Sequence, residues 1–166
     1  MCQSSPISRP PLEPEVRQRE WRRLRDALYA GGYAVTAQRR AAFDALLDAN
    51  DHTCAEHILE AIRRAYPTWR VNKTTVYRNL DLFLSLGVIR EMRRDDGRAQ
   101  YELALYGHHG HLICRACGGV YDLDPTVATH LQRQVSGRSG FLVDLAGHAL
   151  YGLCERCAAT AQEEHD

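Results

Sequence analysis

The chain is 166 residues long, enough for one domain or two small ones. Hydrophobic residues make up 45% and charged residues 25%, and 21 basic side chains balance 21 acidic ones. These values exclude a collagen repeat, a wholly disordered chain and a coiled coil. There is no run of about 18 apolar residues, so no membrane span is expected. The opening MCQSSPISRPPLEPE has no apolar signal core. Residues 1–14 are therefore expected to form a disordered Pro/Ser tail on a cytoplasmic protein.

The neutral total hides an asymmetry. Residues 1–105 carry 17 Lys or Arg against 14 Asp or Glu, and residues 106–166 carry 4 against 7. Lys73 is the only lysine. The planar arginine fork donates in pairs to phosphates and base edges, although a general preference for arginine accounts for the excess equally well. Six of the eight histidines and four of the six cysteines lie beyond residue 105. Metal-binding chemistry is thus expected in the second half.

In chain order, Pro14 suits a first helical turn. EVRQREWRRLRDALYA has an apolar stripe at Trp21, Leu24, Leu28 and Tyr29 and ends at Gly31–Gly32. Thr36 reads as the N-cap of AQRRAAFDALLDA. Thr53 and Glu56 have capping-box spacing for a third helix, roughly 54–66, that stops before Pro67. Asn72 or Lys73 opens a fourth, KTTVYRNLDLFLSL, closed by Gly87. VIREMRR and RAQYELAL then read as a hairpin around Asp95–Asp96–Gly97.

Four helices and a hairpin outline a winged helix-turn-helix domain over residues 15–105. In such a unit the second helix of the helix-turn-helix enters the major groove of DNA. Val76, Leu80, Phe83 and Gly87 share one face of the fourth helix and suit the core. Thr74, Arg78, Asp81 and Ser85 share a polar face. Thr74, Thr75, Tyr77 and Arg78 are the candidate DNA contacts, with Arg93, Arg94 and Arg98 on the wing behind them. A plain amphipathic surface helix is the competing reading of the fourth helix alone.

From residue 106 to 166 the pattern becomes strand, metal turn, strand, helix, strand, short helix. HLICRACGGVYDLD supplies the first three parts. Asp124–Pro125 opens the helix, which runs to about Gly137 with Val127, Leu131 and Val135 inward. FLVDLAGHALYGL is strand-like and broken at Gly147, and CERCAATAQEEH ends the pattern. A piece this small usually needs a staple or a partner subunit. The expected fold class is α+β: an N-terminal winged helix and a C-terminal α/β dimerisation domain.

The staple is legible. Cys114 and Cys117 form one C-x2-C pair, and Cys154 and Cys157 form another, with 36 residues between them. Two such turns complete a four-thiolate site for structural zinc. Disulfides or redox dithiols are the alternative, disfavoured in cytosol. The second cluster is HHGH at 108–111. On a strand, His109 and His111 point to one side and His108 to the other. With His52 and Glu102 they make a mixed nitrogen and oxygen set that joins the two halves of the chain. Solvated loop histidines are the competing reading.

TTVYRNL (74–80), GVI (87–89), YEL (101–103), HHGHLICRACG (108–118) and HALYGLCERC (148–157) together resemble the ferric uptake regulator (Fur) superfamily of bacterial metal-dependent repressors. The resemblance covers residues 20–158. It implies structural zinc on Cys114, Cys117, Cys154 and Cys157, and a regulatory ion on His52, Glu102, His109 and His111. It implies DNA contacts from Tyr77 and Arg78, and a homodimer on palindromic double-stranded operator DNA, with no membrane, no small-molecule substrate and no enzymatic activity. A third family site would use His108, His130 and His148, but Gly110 stands where an acidic ligand is common.

For the regulatory metal, the lost acidic position, Glu102 and TAQRR lean toward the zinc-uptake (Zur) branch. Fe2+ or Mn2+ at that site, in an iron-responsive or peroxide-responsive regulator, is the alternative. A zinc deaminase, suggested by Cys54-Ala55-Glu56 before Cys114-x2-Cys117, is the distant one. It lacks the proline before the cysteine pair and leaves Cys154 and Cys157 unused. Cys54 stays open between a ligand near His52 and a buried thiol.

Overall fold

Pro14 occupies the first turn of helix α1 (Pro14–Ala30), where its missing N–H has no intrahelical partner to lose. The computed structural model describes residues 9–49, 51–94, 97–107, 109–146 and 148–163. The described residues divide into two compact units, 9–105 and 106–163. Among the described residues, no helix is long and apolar enough to cross a membrane.

In the first unit α1 is followed by α2 (Ala37–Ala49), α3 (Ala55–Ala65) and α4 (Lys73–Ser85). Strands β1 (Ile89–Arg93) and β2 (Ala99–Leu103) then pair antiparallel as the wing, with Arg90 opposite Glu102 and Arg93 opposite Ala99. The Thr36 hydroxyl accepts from the Arg39 N–H at 3.2 Å, the expected cap of α2. Asn72 caps α4 by accepting from the Thr75 N–H at 2.9 Å. Asp95 and Asp96 of the predicted wing turn lie outside the described residues. Gly97 has φ +76°, a left-handed turn conformation that costs glycine least.

The predicted capping box at Thr53 and Glu56 does not form. Residue 54 is the N-cap of α3, and no side chain caps it. Thr53 instead makes a two-bond bridge to Tyr101 on β2, at 2.9 and 2.7 Å. Glu56 pairs with Lys73, the first residue of α4. A long-range backbone pairing took the place of a local cap.

The core of this unit follows the helical stripes. Leu24, Leu28, Phe43, Leu46, Ile58, Val76, Leu80, Phe83 and Leu103 are buried. Phe43 and Phe83 meet edge to face with centroids 5.6 Å apart, and the Trp21 ring stacks on Phe43 with centroids 6.0 Å apart. Phe83→Ala is expected to destabilise this unit by about 3–5 kcal/mol through lost transfer energy and a cavity. Urea unfolding of the variant, followed by helix content, checks it.

The second unit is a small sheet and two helices. Strands β3 (His111–Cys114) and β4 (Val120–Asp122) pair antiparallel. Helix α5 (Pro125–Ser139) begins after Asp124, whose carboxylate accepts from the Thr126 and Val127 N–H groups. Strand β5 (Ala149–Gly152) pairs parallel with β3, giving the order β4-β3-β5. Helix α6 (Glu155–Glu163) follows.

Two expectations fail here. The inward stripe of α5 is not inward within one chain: no residue of α5 is buried, and Val127 is 55% exposed. Among the described residues of FLVDLAGHALYGL, only Ala149–Gly152 is strand. Phe141 and Leu142 lie outside the strands and helices and are exposed. Period and composition marked apolar side chains correctly, but this unit has too little mass to cover them.

Candidate metal centres and nucleic-acid interface

The four-cysteine cluster is a product of the sheet. Parallel pairing sets Cys114, at the end of β3, beside Gly152, at the end of β5. Both C-x2-C turns therefore leave the same end of the sheet. After Cys114 the chain reverses tightly, with the Gly118 N–H donating to the Cys114 carbonyl at 2.8 Å and Gly118 at φ +69°. After Cys154 it enters α6, and the Ala158 N–H donates to the Cys154 carbonyl at 2.8 Å.

The sulfurs of Cys114, Cys117, Cys154 and Cys157 all lie within 4.8 Å of one another. Cys117 and Cys154 are 3.8 Å apart. A tetrahedron with zinc–sulfur bonds of about 2.3 Å has edges of about 3.8 Å, so the donors fit zinc. The thiol acidities describe the same cluster. Burial pushes the Cys114 thiol up, but N–H groups of Cys117, Cys154 and Ala116 bring it down to about 6. The Tyr121 hydroxyl lowers Cys154 by donating to it. Cys157 is pushed up to about 12, chiefly by its hydrogen bond with Cys154. That hydrogen bond and burial hold the Cys157 proton in place, an obstacle that a divalent cation removes.

The predicted regulatory quartet falls as one pair in each unit. In the first, the Thr53–Tyr101 bridge draws the segment after α2 alongside β2. His52 Nε2 then lies 3.5 Å from a Glu102 carboxylate oxygen, and His52 Nδ1 lies 3.0 Å from Asp51. In the second, the His109 and His111 rings are 4.6 Å apart. His109 Nε2 lies 3.1 Å from Asp122 Oδ1. Asp122 is the donor that sequence reasoning missed. It is the cross-strand partner of His111. Folding the β3–β4 hairpin symmetrically about its cysteine turn would have found it.

The third predicted site does not assemble in the same way. His130 and His148 are exposed, and neither joins a group of three donors among the described residues. His108 lies outside the described residues. Gly110 is required where it stands: a Cβ there would sit 2.7 Å from the Leu145 carbonyl oxygen and 3.0 Å from the Leu123 side chain. An acidic side chain has no room at that position. Cys54 is a buried thiol.

On α4, Val76, Leu80 and Phe83 are buried, and Thr74, Arg78, Asp81 and Ser85 are exposed, as the two-face reading required, whereas Gly87, assigned to the core face, lies past the helix and is exposed. Thr75 and Tyr77 are half-buried. The Thr75 hydroxyl donates to Asn72 at 3.0 Å, so it is committed to capping the helix. Lys73 lies 5.7 Å from the centre of the Tyr77 ring.

The model of the ferric uptake regulator family matches residues 30–151. The ferric uptake regulation protein of Campylobacter upsaliensis is 29% identical over 148 residues, covering 88% of this chain and 92% of that one. The peroxide-responsive repressor PerR of Staphylococcus aureus is 26% identical over 131 residues, covering 79% of this chain and 86% of that one. A solved zinc-bound manganese uptake regulator is 29% identical with a TM-score of 0.65, covering 79% of this chain and 98% of that one.

Proposed function

Because the chain belongs to the ferric uptake regulator family, we propose that it is a metal-dependent DNA-binding transcriptional repressor, responsive to zinc and controlling zinc-uptake genes. The observation that carries this reading is a donor set in each unit: His52 with Glu102 in one, His109 and His111 with Asp122 in the other. An ion held by both sets supplies a cross-link between the DNA-reading unit and the rest of the protein. Cys114, Cys117, Cys154 and Cys157 would hold a separate structural zinc. The protein works as a homodimer on a palindromic operator in the cytoplasm. The exposed apolar side chains of the second unit, Val127, Phe141 and Leu142 among them, support a subunit contact.

In this reading each winged helix presents α4 to the major groove. Tyr77 and Arg78 reach the duplex, and Thr74 stands beside them. Arg78→Ala is expected to weaken binding and to reduce the slope of log affinity against log salt by about 1 if Arg78 meets a phosphate. Binding isotherms at several salt concentrations measure that slope.

Asp122 favours a second reading. It adds a carboxylate to a histidine-rich set, and oxygen donors suit iron and manganese better than imidazole alone does. The experiment that separates the two compares operator binding at buffered free Zn2+, Fe2+ and Mn2+. Zinc is expected to activate at the lowest free concentration. Activation by iron or manganese alone would replace the zinc reading with the second one. Binding indifferent to every metal and to chelator would remove both.

A further inference from the structure

Lys73 is the only lysine among 21 basic side chains. It is the first residue of α4, and its ammonium pairs with the carboxylate of Glu56, the second residue of α3. Both side chains stay open to solvent, Lys73 at 56% and Glu56 at 48% exposure. The pair therefore joins the opening turns of the two helices of the helix-turn-helix at its surface. One turn along α4, the centre of the Tyr77 ring lies 5.7 Å from the ammonium. Within the first turn Val76 is buried, and the Thr75 hydroxyl is held by Asn72. Lys73 and Thr74 are the side chains that this turn presents outward.

An exposed ion pair adds little to stability, so folding does not account for this one. Its surroundings are more telling. Residues 61–80 hold five cations, Arg63, Arg64, Arg70, Lys73 and Arg78, and no acidic residue. Glu56 is a carboxylate that α3 brings to this basic stretch, at Lys73. In a helix-turn-helix the first helix crosses the phosphate backbone, and the second enters the major groove by its N-terminal end. The corner where α3 and α4 begin lies between backbone and groove. The chemistry of lysine suits that corner. An ammonium has three donors pointing apart, so one can hold a carboxylate while another takes a phosphate. An arginine fork binds a carboxylate with two parallel bonds, which would commit it to Glu56. The bond to Lys73 holds the Glu56 carboxyl below its usual range, and the bond to Glu56 holds the ammonium above its own. Both partners stay charged.

We propose that Lys73 is a further DNA-contacting residue, which binds a backbone phosphate of the operator, and that Glu56 is its positioning residue, which fixes the ammonium at the corner of α3 and α4. This rests on the reading of the protein as a DNA-binding repressor. Phosphate contacts set the register of a protein on its duplex. A tethered charge meets a phosphate in one register, whereas a free lysine side chain follows any duplex. The Glu56 carboxylate also repels phosphates that lie out of register. The pair thus contributes to the choice between operator and other DNA, and not only to affinity.

The test uses the full chain with whichever of Zn2+, Fe2+ and Mn2+ gives the tightest binding. The probes are a duplex that the wild type selects from a random-sequence library and a scrambled duplex of the same length. Wild type, Lys73→Gln, Glu56→Gln and the double variant are compared at several salt concentrations, after their thermal midpoints are measured. Lys73→Gln is expected to reduce the slope of log affinity against log salt by about 0.9, the value for one phosphate. Glu56→Gln is expected to lower the ratio of selected to scrambled affinity about fivefold. In the Lys73→Gln background the same change should leave the ratio where it is, because Glu56 acts through Lys73. The thermal midpoints are expected to match. An unchanged slope in Lys73→Gln overturns the phosphate contact. A Glu56→Gln effect of equal size in both backgrounds overturns the positioning role, and so does one that merely follows a lowered midpoint. A wild type that selects no duplex with any of the three metals overturns the DNA-binding reading itself, and the inference with it.

Discussion

A His109→Ala protein is expected to bind operator DNA with the weak affinity of the metal-free state, whatever the free zinc concentration. The wild type is expected to gain at least about 100-fold on metal binding, about 2.7 kcal/mol of coupling. His109 is the residue to remove because its ring reaches both of its unit's other donors. It lies 4.6 Å from the His111 ring and 3.1 Å from Asp122. Glu102 and His52 are less clean targets, since both are buried beside the wing and the Thr53–Tyr101 bridge. Losing either would disturb the DNA-reading unit as well as the ion. His109 is only partly buried and belongs to no strand, so the variant should keep its thermal midpoint and the metal content expected of its four-cysteine cluster. Fluorescence anisotropy with labelled operator at buffered zinc reads the coupling. A variant that retains the full metal response means that the regulatory ion sits elsewhere.

The same donors show what was legible in the sequence. The C-x2-C pairs were plain because their spacing is local and their partner turn repeats it. His52 and Glu102 were legible as candidate donors, but not their closeness to each other, since the bridge that brings their segments together links residues 53 and 101. Asp122 escaped because it looks like an ordinary acidic residue at a strand end. Only strand register shows that it faces His111. The four helices and the wing were read from apolar period and caps, and α2 and α4 begin where Thr36 and Asn72 predicted.

The failures have a common physical source. Thr53 and Glu56 have the spacing of a capping box, yet each has a better partner far away in sequence. Val127 carries the period of a core residue, yet it is exposed in a single chain. Local patterns state what a side chain prefers, and distant chain decides whether that preference is met. Gly110 makes the opposite case. The sequence showed only a missing acid, whereas the Leu145 carbonyl explains why no side chain fits there.

Replacing Cys154 by serine is expected to unfold the second unit while leaving the first intact. The buried apolar side chains of the second unit, among the described residues, are Ile113, Cys114, Val120, Leu123 and Leu145. Five such side chains do not offset the ordering of a sheet and two helices. Structural zinc contributes about 10–16 kcal/mol in comparable small domains, more than the about 5–15 kcal/mol by which whole domains are stable. Cys154 has three roles: it is one of the four clustered sulfurs, its carbonyl accepts the first bond of α6, and its sulfur meets Tyr121. Serine keeps the backbone role and loses the thiolate. Zinc content should therefore fall, and limited proteolysis should cut between residues 106 and 163 while residues 9–105 survive. The first unit has its own aromatic core in Phe43 and Phe83, so its helical signal should still melt cooperatively. If the protein is the homodimer proposed above, operator affinity should collapse, because isolated winged helices would lose the second set of contacts. A zinc-free Cys154→Ser protein that resists protease along its whole length would show that the sheet supports itself without the metal.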